Sequence, residues 1–389
     1  MGEAYLVQRC LLPKGGLLRP DEGYEAADVL IRGGRIETIA SAGSALPDDC
    51  VLIDGADKLL LPGLHNAHTH SNNFFSKGGI APLPLELMVA TRVSLPPDHP
   101  TVPRQGDDEL IQRYSAGAAM TALSTLLSGG TSLIDMITLP EGEELAMRCL
   151  TAAADSYRAS GIRCFLGPHL NDAADGTFTP NFMGVAPPGC VLPEGLQGLG
   201  EDGALRTERR TDPARTAAAL AFWRRAIEEL HRPEEGMSII LAPHNEATCS
   251  AELFSGAAAI MEENEVSTTA RTRLGLADLR SSHQRPAVLQ GVYGTTHLLE
   301  GLHQPLSSSQ RFGDSGVESS AANYGTGGEE VHGTVRTLDE TGFLGPGTTL
   351  AHGVHLSAGD MALLAERGCT VRCHSIAAVW VAFFSISQR

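Results

Sequence analysis

Lysine is nearly absent from this sequence. The 389 residues contain Lys14, Lys58 and Lys77 and no other lysine, so arginine supplies the rest of the positive charge. The formal net charge is −17. This excess of negative charge argues against sequence-independent binding to nucleic acid or to anionic membranes. We therefore expect no nucleic-acid or membrane partner, which leaves a small-molecule substrate and further copies of the chain in a homo-oligomer as the partners to consider.

Paired cysteines and long apolar runs are also lacking. The eight cysteines are scattered and no CxxC occurs, which is typical of free thiols in a reducing compartment. The N-terminal stretch has an early Glu3 and no sustained apolar core, so no signal peptide is predicted. The apolar run "IAAVWVAFFSI" is too short to cross a bilayer. These observations together predict a cytoplasmic protein.

The first part of the chain reads as short strands. Residues 1–60 include "YLVQRCLL" and "ADVLIRGGRIETIAS", which are apolar or alternating runs between Gly, Asp and Pro. Gly33 and Gly34 occupy the predicted turn of a hairpin. The pattern predicts a small, partial β-sandwich module.

After residue 60 the chain alternates between helix and strand. "MTALSTLLSGGTSLIDM" is a predicted helix, a glycine stop and a buried strand, and the same order recurs downstream. Seven candidate parallel strands follow this rule over residues 61–375, one short of a (β/α)₈ barrel. Irregular insertions interrupt the pattern at about 180–215, 266–290 and 304–331, and residues 376–389 form an atypical apolar tail.

The stretch "LLLPGLHNAHTH" carries the first chemical signal. His68 and His70 are two residues apart, so both side chains point to the same face of a strand. His65 has the opposite parity and is predicted to be structural. The carboxyl end of a barrel strand is where barrel enzymes assemble their chemistry.

Further histidines fall at predicted strand ends. "THLLEG" contains His297 and, three residues later, Glu300, a carboxylate placed to shuttle protons to and from a metal-bound water. "LAPHN" and "LAHGVHL" place His244 and His352 in the same way. Each histidine alone is equally compatible with a satisfied structural residue, and Asp135 with a helix cap or turn contact. Their joint position at strand ends predicts a metal site.

These motifs resemble the amidohydrolase superfamily. "PGLHNAHTH" after a β module, "THLLEG" and "GFLGPGTTLAHGVHLSAGDMALLAERGCTV" are similar to the branch with cytosine and adenosine-type deaminases and triazine hydrolases. The resemblance covers most of residues 25–265 and 291–371 and implies a distorted (β/α)₈ barrel with one divalent metal. It also implies residue roles, which are metal ligation by His68, His70 and His297, proton transfer by Glu300, polarisation of water or substrate by His352, and substrate contact by His244.

The scarcity of lysine bears on the number of metals. Relatives of the dihydroorotase type bridge two metals with a carbamylated lysine in a middle strand, and no lysine follows Lys77 here. A single ion is therefore expected. Imidazole ligands suit zinc, with iron as the alternative.

The end of the sequence departs from the family. The family's last metal ligand is an aspartate on the eighth strand, and no aspartate follows Asp360. We therefore expect a barrel incomplete at the eighth strand, weaker metal binding, poor solubility and weak activity. One hypothesis is that residues 266–290, part of 304–331 and the tail from about Arg372 are translated non-coding or misassembled sequence.

The resulting prediction is a metal-dependent hydrolase of non-peptide carbon–nitrogen bonds that deaminates a nitrogen heterocycle. The alternative is a catalytically impaired or inactive remnant of the same family, which the missing aspartate favours and the retained histidines oppose. Displacement of chloride or a thioether on a triazine-like ring would use the same residues.

Overall fold

The computed structural model describes the greater part of the chain. The described residues are 4–14, 20–45, 47, 49–77, 106–174, 211–246, 248–264, 292–298, 331–354 and 356–372. The chain divides into two compact units, Met1–Leu64 and His65–Arg389. Most of the three predicted insertions and all of the tail at 376–389 lie outside the described residues.

The first unit contains one four-stranded sheet in the order β3-β2-β1-β4. Its strands are β1 (Ala4–Pro13), β2 (Tyr24–Arg32), β3 (Arg35–Ser41) and β4 (Val51–Asp54). β1 is antiparallel to β2 and parallel to β4. This sheet is one layer and a sandwich has two, so the β-sandwich stays a prediction.

The hairpin predicted at Gly33 and Gly34 is confirmed. Arg32 pairs with Arg35 across a two-residue turn, and both glycines have positive φ, 58° and 73°. Two positive φ angles are what a tight turn between twisted antiparallel strands requires, and glycine adopts them without a steric penalty.

The second unit is built from strands joined by helices. Its strands are β5 (Leu64–Thr69), β6 (Gly130–Thr138), β7 (Arg163–Leu170), β8 (Met237–Ile239), β9 (Ala242–Pro243), β10 (Gly294–Leu298), β11 (Thr348–His352) and β12 (Thr370–Arg372). Its helices are α1 (Asp107–Leu127), α2 (Glu143–Ser160), α3 (Pro213–Leu230), α4 (Ala251–Glu263), α5 (Gly333–Glu340) and α6 (Ala358–Glu366).

The strands form two hydrogen-bonded sheets, in the orders β5-β6-β7-β8 and β10-β11-β12. β6, β7 and β8 run parallel, as do β10, β11 and β12. β9 also pairs with β7, so β8 and β9 occupy one strand position. Parallel bridges from Leu241 to Gly294 and from Asn245 to His297 join this position to β10. The seven predicted strand positions are thus present in chain order.

The barrel is not closed by hydrogen bonds within the described residues, where no pairing joins β12 to β5. Parallel strands connected by helices confirm the α/β class. Among the described residues, no helix combines the length and apolar character needed to cross a membrane.

Two apolar clusters hold the helices on the sheets. The first packs α1, α2 and α3 against β6, β7 and β8. The second packs α3, α4 and α5 against β10 and β11. Helix α3 belongs to both, because Phe222 enters the first cluster and the fully buried Trp223 the second. The Trp223 indole N–H donates to the Pro168 carbonyl at 3.0 Å, which satisfies its one polar group.

Candidate metal centre

Six histidines meet at the carboxyl ends of strands in the second unit. They are His68, His70, His169, His244, His297 and His352. His68 lies near the end of β5 and His70 directly after it, and the other four follow in chain order at or next to the ends of β7, β9, β10 and β11. Neighbouring rings in this histidine cluster have centroids 4.3–5.9 Å apart. Five of the six were predicted from the sequence.

His68 lies edge-on to three of the other rings. Its ring centroid is 4.8 Å from that of His70, 4.9 Å from that of His297 and 5.0 Å from that of His352. One ring nitrogen from each of His68, His297 and His352 lies within 4.8 Å of the others. The rings of His70 and His352 are each nearly parallel to that of His297, at 5.2 Å between ring centroids. The arrangement converges on one small volume.

Backbone carbonyls set the tautomers of His70 and His297. Nδ1 of His70 is 2.6 Å from the Met136 carbonyl oxygen, and Nδ1 of His297 is 2.9 Å from the His244 carbonyl oxygen. Because a carbonyl oxygen can only accept, both Nδ1 atoms must carry the hydrogen. In neutral rings this places a lone pair on each Nε2, the usual arrangement of histidines that bind a metal.

The two Nε2 atoms face each other. They are 3.2 Å apart. Two lone pairs at this distance repel unless a cation or a proton lies between them. A tetrahedral zinc ion bound at about 2.0–2.1 Å holds two nitrogen ligands roughly 3.3 Å apart. The donor set therefore fits a divalent metal.

Burial lowers the pKa of two of these imidazoles, His297 and His244. Burial first, and then the neighbouring rings beginning with His68, hold the pKa of His297 well below its usual range. Burial and the nearby His70 lower the pKa of His244 to about 3. A neutral imidazole keeps the lone pair that a metal needs.

His352 ends β11 in an unusual backbone conformation. Its φ is +73°, in the left-handed region, which few residues other than glycine adopt. Gly353 follows with φ +60°, and its N–H donates to the Leu298 carbonyl at 2.9 Å. The chain turns sharply here, and the His352 ring comes to lie against His68 and His297. Such strain is most common at functional sites.

Asp135 holds the segment that follows His70. Its fully buried carboxylate accepts from the Ser71 N–H at 2.9 Å, the Ser71 hydroxyl at 2.5 Å and the Tyr157 hydroxyl at 2.8 Å. The next residue, Met136, supplies the carbonyl that orients His70. Burial raises the pKa of Asp135, and the bonds from Ser71 and Tyr157 oppose that rise. Strand β6 thus fixes residues 70 and 71 at two adjacent points.

Of the other residues singled out in the sequence, His65 and Glu300 are not part of the described cluster. His65 lies near the start of β5, and its Nδ1 contacts the Ser132 hydroxyl at 2.5 Å. Glu300 lies outside the described residues. Within the described residues, the groups that could hold a metal contain imidazoles alone.

Sequence reasoning missed His169. It lies in "GPHL" near the end of β7, 4.3 Å from His244 between ring centroids. The rule that selected His244 in "LAPHN" applies equally to "GPHL", so the signal was present in the sequence.

A model of the amidohydrolase family matches residues 59–379, so the chain belongs to this family. Among curated relatives, a 5′-deoxyadenosine deaminase of Methanothermobacter thermautotrophicus is 26% identical over 350 residues, covering 90% of this chain and 58% of the relative. An 8-oxoguanine deaminase of Pseudomonas aeruginosa is 26% identical over 358 residues, covering 90% and 61%. The chain therefore spans about three fifths of the length of these two relatives.

Solved structures share the fold. An atrazine chlorohydrolase from Arthrobacter aurescens, crystallised with zinc, superposes with a TM-score of 0.62 at 17% identity, covering 97% of this chain and 67% of that one. A guanine deaminase from C. acetobutylicum with bound guanine gives a TM-score of 0.54 at 14% identity, covering 95% and 66%. The resemblance to the family predicted from the motifs is confirmed. Relatives named as deaminases give no support to the alternative of an inactive remnant.

Proposed function

We propose that this chain is a metal-dependent hydrolase that removes an amino group from a nitrogen heterocycle and releases ammonia. The observation that carries the proposal is the pair of Nε2 lone pairs, on His70 and His297, that face each other at 3.2 Å. Imidazole nitrogens in this arrangement suit a transition-metal cation. The deaminase activity named for two curated relatives supports the reaction class.

We assign the metal to His68, His70 and His297, with the His352 ring beside them. When bound, the cation would act as a Lewis acid that activates water. All-imidazole ligands favour zinc, and the zinc in the related atrazine chlorohydrolase is consistent with that choice. Iron remains the alternative.

The chain's own residues move the protons and hold the substrate. Glu300 takes a proton from the attacking water and returns it to the departing amino nitrogen. The other proton of the water passes to the neighbouring ring nitrogen, the bond between the ring carbon and the amino nitrogen breaks, ammonia leaves and the ring carbon keeps the new oxygen as a carbonyl. His352 hydrogen-bonds the water or the substrate, and neutral His244 accepts a hydrogen bond from a ring N–H of the substrate.

An amino-substituted purine is the substrate class we favour. The names of two relatives specify a 5′-deoxyadenosine and an 8-oxoguanine deaminase. A purine presents both the amino group and the ring nitrogens that an imidazole could hydrogen-bond.

The finer architecture is part of the same proposal. We infer a distorted (β/α)₈ barrel from about residue 61 onward, after a partial β-sandwich module of residues 1–60. The solved structures that share the fold support the barrel.

The test is ammonia release by the purified full chain from a panel of aminopurines, aminopyrimidines and aminotriazines. We expect turnover of at least one aminopurine, its loss after chelation and its return with added zinc. His297→Ala should lose both zinc and turnover. His65→Ala is the matched control because His65 lies on β5 but contacts Ser132 instead of the histidine cluster.

Two outcomes would contradict the proposal. One is turnover that chelation does not affect, and the other is zinc-loaded protein that releases no ammonia from any heterocycle in the panel. Release of chloride from a chlorotriazine without any deamination would favour the displacement reaction instead.

A further inference from the structure

His169 has no role in the proposed reaction, although it lies inside the histidine cluster. Its Nδ1 is 3.1 Å from the Thr138 hydroxyl. Its Nε2 is buried and has no hydrogen-bond partner among the described residues. When Nδ1 donates to Thr138, the lone pair on Nε2 has no donor within that part of the chain. Buried polar atoms are rarely left in this state unless they serve a ligand.

The tautomer of the adjacent His244 can be derived from its neighbours. The Thr248 N–H and hydroxyl both donate to the Asn245 side-chain oxygen, at 3.0 and 2.9 Å. The single hydroxyl hydrogen of Thr248 is thereby used, so its oxygen accepts from Nδ1 of His244 at 2.6 Å. Nδ1 of His244 therefore carries the hydrogen, and the lone pair is on Nε2.

These two histidines form a second triad with His297. One ring nitrogen from each of His169, His244 and His297 lies within 4.8 Å of the others. Three imidazole nitrogens are the chemistry that selects zinc, cobalt, nickel or copper over magnesium or calcium.

His297 is common to both triads. Its Nδ1 donates to the His244 carbonyl, so its one available lone pair, on Nε2, can bind one ion at a time. A first ion held with His68 and His70 leaves His169 and His244 as two protein ligands for another. Without the first ion, the three nitrogens of the second triad lie close enough together to bind one ion.

We propose that His169, His244 and His297 form a second binding site for a divalent transition-metal cation. The two sites share His297, so the second is weaker while the first is filled and gains a third nitrogen ligand when the first is disabled. The assignment does not depend on the reaction catalysed, because it concerns metal binding alone. A cation at this site would occupy the His244 nitrogen that the proposed reaction gives to the substrate.

The test is titration of the metal-free full chain with Co²⁺, followed by its visible absorption, with Zn²⁺ competition as a second readout. We expect wild type to bind a second equivalent at least about tenfold more weakly than the first. His169→Ala should abolish the second equivalent and keep the first. The control His65→Ala should keep both.

A second variant isolates the proposed site. The double variant His68→Ala/His70→Ala should still bind about one Co²⁺ with tetrahedral absorption. Adding His169→Ala to it should weaken that binding by at least about tenfold, and adding His65→Ala should not.

Several results would overturn the assignment. One is a wild type that binds a single Co²⁺ at any concentration. Another is a second equivalent that survives His169→Ala. If the double variant does not fold, the wild-type and His169→Ala titrations decide the question on their own. Failure of the deaminase proposal would show as absent ammonia release and would leave these titrations unchanged.

Discussion

The two ends of the same strands differ in what their polar side chains contact. At the amino ends, a cavity of about 290 Å³ is lined by residues that include His65, Ser132, Arg163 and Thr349. There His65 contacts a serine hydroxyl. At the carboxyl ends, imidazole lone pairs face one another, as at the Nε2 atoms of His70 and His297. At one end an imidazole contacts a hydroxyl group, whereas at the other end imidazole nitrogens from different strands face each other.

Strand β5 shows the difference within a few residues. His65 and His68 are three positions apart, so they point to opposite faces of the strand. His68 reaches the histidine cluster, and His65 lines the cavity. Both residues are histidines, so residue type alone does not decide which of them joins the histidine cluster. What decides it is the position along the strand and the face of the strand to which the side chain points. The following predictions test this contrast, from the largest expected effect to the smallest.

The largest effect is expected for His352. Asparagine tolerates the left-handed region, so His352→Asn should keep the backbone at φ +73° while removing the imidazole. If the ring stabilises charge in the reaction, kcat should fall by about 10²–10³-fold. Steady-state kinetics with a responsive aminopurine, alongside thermal melting, measure this. Unchanged kcat in a folded variant would remove His352 from the mechanism.

Asp135 should affect metal affinity without binding the metal. Asp135→Asn keeps the shape but replaces an acceptor oxygen by a donor, so the contacts to Ser71 and Tyr157 are disturbed. We expect zinc affinity to fall by about 10–100-fold, as for other residues that orient metal ligands. Chelator competition measures it. Tyr157→Phe is the matched control because it removes one contact and leaves both bonds from Ser71.

Equal zinc affinity in Asp135→Asn and wild type would contradict this account of the segment after His70. A loss in Tyr157→Phe as large as that in Asp135→Asn would point to general loosening of the core.

Much of this arrangement follows from sequence, and some of it does not. Parity and strand ends predicted five of the six clustered histidines, and the same rule extended to "GPHL" would have found His169. The role of Asp135 could not be predicted, because its partner Ser71 is 64 residues away and a lone aspartate at a strand end has several explanations. The hairpin at Gly33 and Gly34 was predictable because its cause is local.

The tautomers of His70 and His297 could not be predicted from the sequence either. They depend on backbone carbonyls of Met136 and His244, and any residue type could supply those oxygens. Sequence patterns report side chains, so contacts made by the main chain become visible only in three dimensions.

The metal-free protein should lose stability in mild acid. The folded-state pKa of His169, His244 and His297 lies below the unfolded value, so unfolding takes up protons once the pH falls below about 6.5. The free energy of unfolding should then fall by up to about 1.4 kcal/mol per pH unit for each histidine. For His244 the loss continues towards pH 3, where its folded-state pKa of about 3 is reached.

Urea unfolding of the metal-free protein between about pH 7 and 4 measures this slope. His169→Gln should reduce it. A stability independent of pH over this range would show that the cluster is not buried and neutral.

The smallest effect is expected at the amino ends. His65→Ala removes one hydrogen bond at a largely exposed residue, so the free energy of unfolding should fall by about 1 kcal/mol or less. Zinc affinity should not change. A loss of zinc from this variant would erase the distinction between the two ends of the strands.

The central claim is that imidazoles from separate strands bind one metal cation at the carboxyl ends. X-ray absorption at the zinc edge of the reconstituted full chain tests it most directly. We predict a zinc shell of at least three imidazole nitrogens at about 2.0–2.1 Å, which is lost in His297→Ala. A protein that retains no zinc, or zinc bound mainly by sulfur at about 2.3 Å, would contradict the account.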